Sequence, residues 1–465
     1  MKETVPAPST VVRAPRTRVY EPAAAAEFAD ALENLGVRVL RGTYIDPSGV
    51  YRAKQAPIKR AGAFNSAGLG ASTSWAVFAA DDQLCMTPNF SAVGDMRLRA
   101  DLDAVVNLGD GVAWAPLDLV DQNGEPMPFC PRQALRNQMA EAASMGVDVV
   151  GATEIEFTLF HHQTNEPPLG QAYGLSRLSR HEPFVDDLMR ACDEAGVELE
   201  QFHSEYGPGQ FEMSVPPLTP LAAADVNTLL RILISRSARR YGHNASFSPK
   251  PFFDSIGNGA HAHLSFTRNG APLLSGGDGP YGLTRDGERI IGSYVANLPE
   301  ALGALASSVL SALRLQPSGW SGAYACWGLE NREAAVRLCA ATPGNPHGAN
   351  IEVKCVDAAT NIYVAYSALV GVALEGLRHE YPLPNEATFD PATLTEAERQ
   401  SLGIVLVGDD QKVVVDRFES SALMERILGG PLVETVTAVR RHEADLVVEH
   451  GIEQVARMFQ FAWSA

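Results

Sequence analysis

The chain has 465 residues, with 37 lysines and arginines against 55 aspartates and glutamates, for a formal net charge of −18. Hydrophobic residues make up 46% and charged residues 20%, which excludes a wholly disordered or low-complexity chain and leaves ample length for two or three folding units with cores of their own. The acidic balance argues against nucleic-acid binding, which calls for a basic stripe.

Residues 1 to about 18 carry Pro6, Pro8 and Pro15 among Lys2, Arg13, Arg16 and Arg18 and read as a flexible arm, not a signal peptide. A helical period over Glu21–Leu35 leads to strands Val37–Tyr44 and Val50–Ile58 around an Asp46-Pro-Ser-Gly turn. Asn65–Ser74, rich in Gly, Ala and Ser, reads as a loop, and short strands continue to about Leu119. A small α+β domain therefore spans 19–127, and a larger one spans 128–465. In the latter, helices are predicted at Arg132–Gly146, Glu182–Gly196 and Leu221–Tyr241, the last ending on Arg236, Arg239 and Arg240 as its dipole favours. Strands are predicted at Val147–Phe160, Val197–His203, Ala260–Phe266, Tyr324–Leu329, Ala334–Leu338 and Ile351–Val356, and helices dominate to the end. The most apolar helical candidate, Ala301–Leu313, is shorter than the roughly 18–20 residues a membrane crossing needs, so no membrane partner is expected. Cys85, Cys130, Cys192, Cys326, Cys339 and Cys355 form no CxxC pair and read as reduced thiols of a cytoplasmic protein.

Four segments carry the chemistry. In Gly151-Ala-Thr-Glu-Ile-Glu-Phe157, residues two apart on a strand point the same way, so Glu154 and Glu156 project together while Ile155, Phe157 and Leu159 face the core. Adjacent carboxylates on an apolar strand repel and call for a cation, although an edge strand with a solvated acidic face accounts for this motif equally well. Val197–Val215 reads as a hairpin with Glu205 and Glu212 beside a Tyr206-Gly-Pro-Gly209 turn. Asn258-Gly-Ala-His-Ala-His-Leu-Ser265 puts His261, His263 and Ser265 on one face, and Ile351-Glu-Val-Lys354 pairs Glu352 with Lys354. Five carboxylates and an imidazole make an oxygen-rich set suited to Mg²⁺ or Mn²⁺, not zinc. Arg314, Arg332 and Arg337 add guanidinium groups for carboxylate and phosphate oxygens, and together these parts suit phosphoryl transfer. No P-loop or kinase motif is present, so a nucleotide needs another scaffold.

From about residue 37 to the C-terminus the chain resembles the glutamine synthetase family. The resemblance is carried by Glu154/Glu156, Glu205 with Gln210-Phe-Glu212, Phe247-Ser-Pro-Lys-Pro251, Asn258-Gly-Ala-His-Ala-His263, Asn331-Arg332 with Arg337, and Ile351-Glu-Val353, in order and at the right spacing. It implies an α+β fold with an N-terminal β-grasp domain and a catalytic domain whose curved antiparallel sheet is flanked by helices, assembled as a dodecamer of two hexameric rings. It also implies ATP-dependent activation of the glutamate side chain as γ-glutamyl phosphate. Glu156, Glu205 and Glu212 would hold one Mg²⁺ or Mn²⁺, and Glu154, His261 and Glu352 the other. His263, Ser265, Arg332 and Arg337 would contact ATP; Asn258, Gly259 and Arg314 would contact glutamate; Arg314, Arg332 and Lys354 would serve catalysis.

Departures from the family pattern bear on the nitrogen donor. Where ammonium-using members carry acids, the small-domain loop reads Ala67-Gly-Leu-Gly-Ala-Ser72 and the flap Pro317-Ser-Gly-Trp-Ser-Gly322, placing Trp320 or Ser321 at the flap acid's position. Losing those anions removes the Coulombic preference for a small cation, and tryptophan offers an apolar or cation–π wall. Leu69-Gly-Ala-Ser72, Tyr324-Ala-Cys-Trp327, Glu330-Asn-Arg332 and Phe461-Ala-Trp-Ser464 resemble the γ-glutamylpolyamine synthetase-like subgroup. The expected donor is therefore an organic amine, polyamine first, with ethanolamine-like or aromatic amines open; ordinary glutamine synthesis and an inactive oligomeric binding protein are the alternatives. Lys354 stands at a position normally arginine and Asn350 at one where a nucleotide-contacting arginine is expected. The adenylylation tyrosine has no counterpart in His379-Glu-Tyr-Pro-Leu-Pro384.

Overall fold

The computed structural model describes residues 16–465 apart from Ser307 and Asp409. Most of the expected flexible arm, residues 1–15, lies outside the described residues. The rest of it is tied down: Arg16 donates to both oxygens of Glu125 at 2.7 and 2.5 Å, Thr17 bonds Asp118, and the Arg18 guanidinium sits 4.5 Å from the Tyr20 ring centre.

Helix Pro22–Asn34 precedes a first sheet built from β1 (Val39–Ile45), β2 (Tyr51–Pro57), β3 (Leu69–Ser72), β4 (Asp95–Ala100), β5 (Val106–Asn107) and β6 (Val112–Val120). Its order is β2-β1-β6-β4-β3, with β5 on β6; β1 and β6 run parallel and the other pairs antiparallel. The Asp46 turn closes as expected, its carboxylate accepting from the N–H groups of Ser48 (2.9 Å) and Val50 (3.0 Å). Residues 65–74 are not the loop that composition predicted. Helix Ala61–Ser66 runs into them, and Leu69–Ser72 ladders onto β4 as an edge strand. An edge strand needs one partner only, so weak strand formers are tolerated there. Gly68, at φ +69°, makes the turn where a side chain would meet the Leu98 carbonyl at 2.8 Å.

The second sheet comprises β7 (Val147–His161), β8 (Gln201–Ser204), β9 (Gln210–Ser214), β10 (His243–Ser246), β11 (Ala262–Arg268), β12 (Ala271–Pro272), β13 (Tyr324–Leu329), β14 (Ala334–Cys339), β15 (Asn350–Val353) and β16 (Val405–Leu406). The order is β16-β13-β14-β15-β11-β7-β9-β8, with β10 on β7 and β12 on β11. Among the described residues it is antiparallel except for β13 with β14. The fifteen-residue β7 organises it, pairing with β11 through its first half and β9 through its second. Phe157 anchors that strand among Phe184, Phe202, Phe211 and Phe247, with ring centres 6.0–6.4 Å away. Behind the sheet, helix Ile362–Arg378 is buried over nearly its whole length.

The apolar run Ala301–Leu313 is not one helix. Helix Arg285–Leu305 ends at Ala306 (φ −155°, ψ 65°), and helix Val309–Arg314 begins after Ser308, whose hydroxyl accepts from Leu310 N–H and donates to Glu443 at 2.8 Å. A serine cap with a distant acid partner breaks the run and sets Arg314 at a helix end. No described helix is long and apolar enough to cross a membrane.

Arg132 ties the first sheet to a helix that packs on the second. It is 2% exposed and meets Asp118 of β6 at 3.0 Å, Asp101 at 3.2 Å, and Asp225 of helix Pro220–Arg240 at 2.6 Å. Removing one member of a buried ion network leaves charges that water cannot reach. Arg132→Met is therefore expected to lower the unfolding free energy by about 3–5 kcal/mol, measured by urea denaturation.

Candidate active site

Backbone pairing alone assembles the acidic centre. Glu154 and Glu156 share the half-buried face of β7. Glu156 pairs with Glu212 of β9, and Glu212 pairs with His203 of β8. Glu205 follows β8, its N–H bonded to the Gln210 carbonyl at 2.8 Å, so the hairpin turn folds it back on the same face. On the other side, His263 of β11 lies opposite Glu352 of β15, and Glu352 lies opposite Arg337 of β14.

Two groups of donors result. One ligand atom from each of His203, Glu205 and Glu212 lies within 4.8 Å of the others, and so do atoms of Glu154, His263 and Glu352. His261 joins them: its Nδ1 is 2.8 Å from Glu154 and 3.4 Å from Glu352, and its Nε2 is 3.7 Å from Glu156. Glu205 also receives the Tyr206 N–H (2.7 Å) and the Tyr173 hydroxyl (3.1 Å).

The charges are unevenly compensated. Burial, reinforced by the carboxylates of Glu154, Glu156 and Glu205, pushes the Glu212 carboxyl up to about 10. Burial also opposes ionisation of Glu154 and Glu352. The His261 and His263 imidazoles nevertheless hold Glu154 well below the usual carboxylate range, and Lys354 with both imidazoles holds Glu352 at about 2. The buried Nε2 of His263 has no hydrogen-bond partner among the described residues. Crowded carboxylates, one forced towards protonation, beside an imidazole nitrogen whose nearest acid, Glu154 Oε1, is 3.4 Å away fit a hard divalent cation.

The basic side is fixed just as closely. Glu352 accepts from Lys354 Nζ and Arg337 Nη1, both at 2.9 Å. Arg314 is buried, donating to the carbonyls of Lys354 (2.9 Å) and Cys355 (3.2 Å), with Asp357 3.9 Å away. Gly259 donates its N–H to Glu156 at 2.9 Å, and a Cβ on it would stand 2.6 Å from Arg314 Nη2. Ser265 donates to the Ala349 carbonyl at 2.7 Å, beside the 2.9 Å contact between His263 Nδ1 and Asn350.

Other predicted residues take different places. Asn258 is fully buried and spends its amide inward: it donates to the Ser246 and Ser248 carbonyls and accepts from Thr158 and Gln210. Its side chain therefore holds Gln210, which donates to Glu156 at 2.8 Å. Ser321 is likewise buried, its hydroxyl turned to the Gln316 carbonyl at 3.4 Å. Trp320 is 56% exposed. Arg332 is exposed and makes no ion pair or hydrogen bond among the described residues, so it is not drawn into the cluster around Glu352.

A profile described as the glutamine synthetase catalytic domain matches residues 128–458. Over 459 residues the chain is 36% identical to the gamma-glutamylpolyamine synthetase GlnA3 of Streptomyces coelicolor, covering 97% of this chain and 98% of that one. The chain belongs to the glutamine synthetase family. Among solved structures, a novel glutamine synthase homologue superposes with a TM-score of 0.82 at 29% identity, covering 91% of this chain and 98% of the other. A structure described as a GmaS/ADP complex gives 0.80 at 25%, covering 93% and 99%. The chain is thus a ligase of the glutamine synthetase family with its mixed α+β fold.

Two acidic-site participants escaped the sequence reading. His203 sits two residues before Glu205 on a strand, so the spacing that singled out Glu154 and Glu156 also marks His203. Tyr173 comes from the turn before helix Leu175–Arg180, and its ring stacks on His203 with centres 6.1 Å apart; no local pattern places it there.

Proposed function

We propose that this glutamine synthetase family member joins the γ-carboxylate of L-glutamate to an organic amine, a polyamine foremost, at the expense of ATP and through γ-glutamyl phosphate. The observation that carries the reading is the pair of acid–imidazole groups, His203/Glu205/Glu212 and Glu154/His263/Glu352, side by side on adjoining strands. Divalent cations bound there, Mg²⁺ or Mn²⁺, would neutralise charge on the transferring phosphoryl group. Glu156, Glu205 and Glu212 on one side and Glu154, His261, His263 and Glu352 on the other would hold them.

The chain's own residues do the positioning. Arg314, locked to two backbone carbonyls, would receive a glutamate carboxylate beside Gly259, whose missing side chain leaves room. Arg337 and Lys354, aligned by Glu352, would face phosphate oxygens, and His263 and Ser265 the nucleotide. Arg332, free in solvent, would reach the phosphates only as ATP binds. Neither residues 67–72, at and around the edge strand β3, nor the loop at 317–322 carries an acid, and the exposed Trp320 indole supplies an apolar wall, which suits an alkyl amine better than ammonium. The name of the Streptomyces relative supports a polyamine. All six cysteines are unpaired, which suits the cytoplasm, and a dodecamer is the assembly we expect.

Glutamate-dependent phosphate release from ATP, measured with ammonium, spermidine, putrescine, ethanolamine and an aromatic amine, tests the reading. Saturation by a polyamine at far lower concentration than by ammonium is expected. Saturation by ammonium alone would replace this reading with glutamine synthesis.

A further inference from the structure

The segment Pro317–Gly322 has an unusual backbone. Ser318, Trp320 and Gly322 take φ values of +61°, +53° and +73°. Left-handed conformations at two non-glycine residues cost energy and persist only where surrounding contacts enforce them. The enforcing contact is Glu333, immediately before β14, whose Oε1 accepts the Trp320 backbone N–H at 3.0 Å.

Glu333 is 5% exposed, and its second oxygen, Oε2, is buried with no hydrogen-bond partner among the described residues. Burial, reinforced by the Asp390 charge, raises its carboxyl pKa, against the pull of the Trp320 and Ser318 N–H groups and of Lys354. Glu333 sits in the turn that leads into β14, whose Arg337 reaches Glu352 at 2.9 Å. The loop packs against the same strands: a Cβ on Gly322 would stand 2.7 Å from Lys354 Cβ and 3.0 Å from Ala335 Cα. A buried carboxylate with one oxygen unspent is costly unless a donor arrives. The nearby cations do not serve it, since Lys354 is committed to Glu352 and Arg332 points to solvent.

We propose that Glu333 Oε2 receives the ammonium group of the amine substrate beneath the Trp320 indole. The assignment rests on the amine-ligase reading and deepens it by naming the residue that recognises the nitrogen donor. An alkylammonium brings N–H donors to the free oxygen while its carbon chain lies along the exposed ring, combining a charge-assisted hydrogen bond with apolar and cation–π contact. A second cationic group further along a polyamine would project past Trp320 towards solvent.

Glu333→Gln tests this cleanly, because the amide oxygen still accepts from Trp320 N–H and holds the loop, while the charge is lost. The KM for the best amine of the panel is expected to rise by about tenfold or more, with the KM values for ATP and glutamate changed by less than about twofold. Glu333→Asp, which keeps the charge but shortens the reach, is expected to fall between. An unchanged amine KM in Glu333→Gln overturns the proposal, as does an equal rise for all three substrates, which marks a merely structural role. Should the wild type respond to ammonium only, the amine-ligase reading fails by itself. The ammonium KM of Glu333→Gln then decides the residue: a tenfold rise keeps Glu333 as the nitrogen donor's carboxylate, and no change removes it.

Discussion

Gly259→Ala is expected to cut kcat/KM for glutamate by at least about a hundredfold while leaving a folded protein. The added methyl would stand 2.6 Å from Arg314 Nη2 and 2.7 Å from His261 Nε2, distances no real carbon occupies. Neither neighbour can step aside freely. Arg314 is bonded to the carbonyls of Lys354 and Cys355, and His261 is seated between Glu154 and Glu352. The backbone at Gly259 lies outside the left-handed region, so alanine fits the chain conformation there and the whole effect comes from contact. Overpacking of this kind costs about 1–3 kcal/mol of stability, which a chain of this size survives. The displacement of Arg314 should appear chiefly in the glutamate KM, and that of His261 in the dependence on divalent ion. Steady-state kinetics at varied glutamate and Mn²⁺ check both, and a glutamate KM within about twofold of wild type would falsify the close-approach argument.

The parts legible in the sequence were those that depend on strand alternation. Glu154 with Glu156, His261 with His263, and Glu352 with Lys354 each needed only a period of two, and β7, β11 and β15 with the residues flanking them bring these side chains together. His203 obeys the same rule and was recoverable. What the sequence hid depends on distant partners. Asn258 looks like a site residue in its motif, yet the Ser246 and Ser248 carbonyls and Gln210 absorb its whole amide. The run Ala301–Leu313 is unbroken in hydropathy, but Ser308 finds Glu443, 135 residues away, and splits it. Within 65–74, the poor strand formers Leu69–Ser72 become a strand because β4 lies alongside. Glu333 meets the 317–322 loop through the Trp320 N–H, across a backbone with left-handed residues at Ser318, Trp320 and Gly322, and no spacing rule anticipates that contact.

Glu352→Gln is expected to abolish most activity and to cost stability, and the two losses have separable causes. The carboxylate is 1% exposed and serves Lys354, Arg337 and His261 at once. Removing its charge strands Lys354, itself 2% exposed, which should lower the unfolding free energy by about 3 kcal/mol. Arg337 suffers less because it also pairs with Glu330. Divalent-ion affinity and turnover should fall more than about a hundredfold, since even outer partners of metal ligands contribute roughly 10–100-fold. The pair Glu352→Gln with Lys354→Met separates the effects: without the stranded ammonium, urea denaturation should recover much of the lost stability. Mn²⁺ binding by calorimetry should not recover, because the carboxylate that faces His261 and His263 is still missing, and turnover stays low with both Glu352 and Lys354 gone. If Mn²⁺ affinity returned together with stability, Glu352 would be only a counter-ion for Lys354, and the cation site would have to be built from the other carboxylates alone.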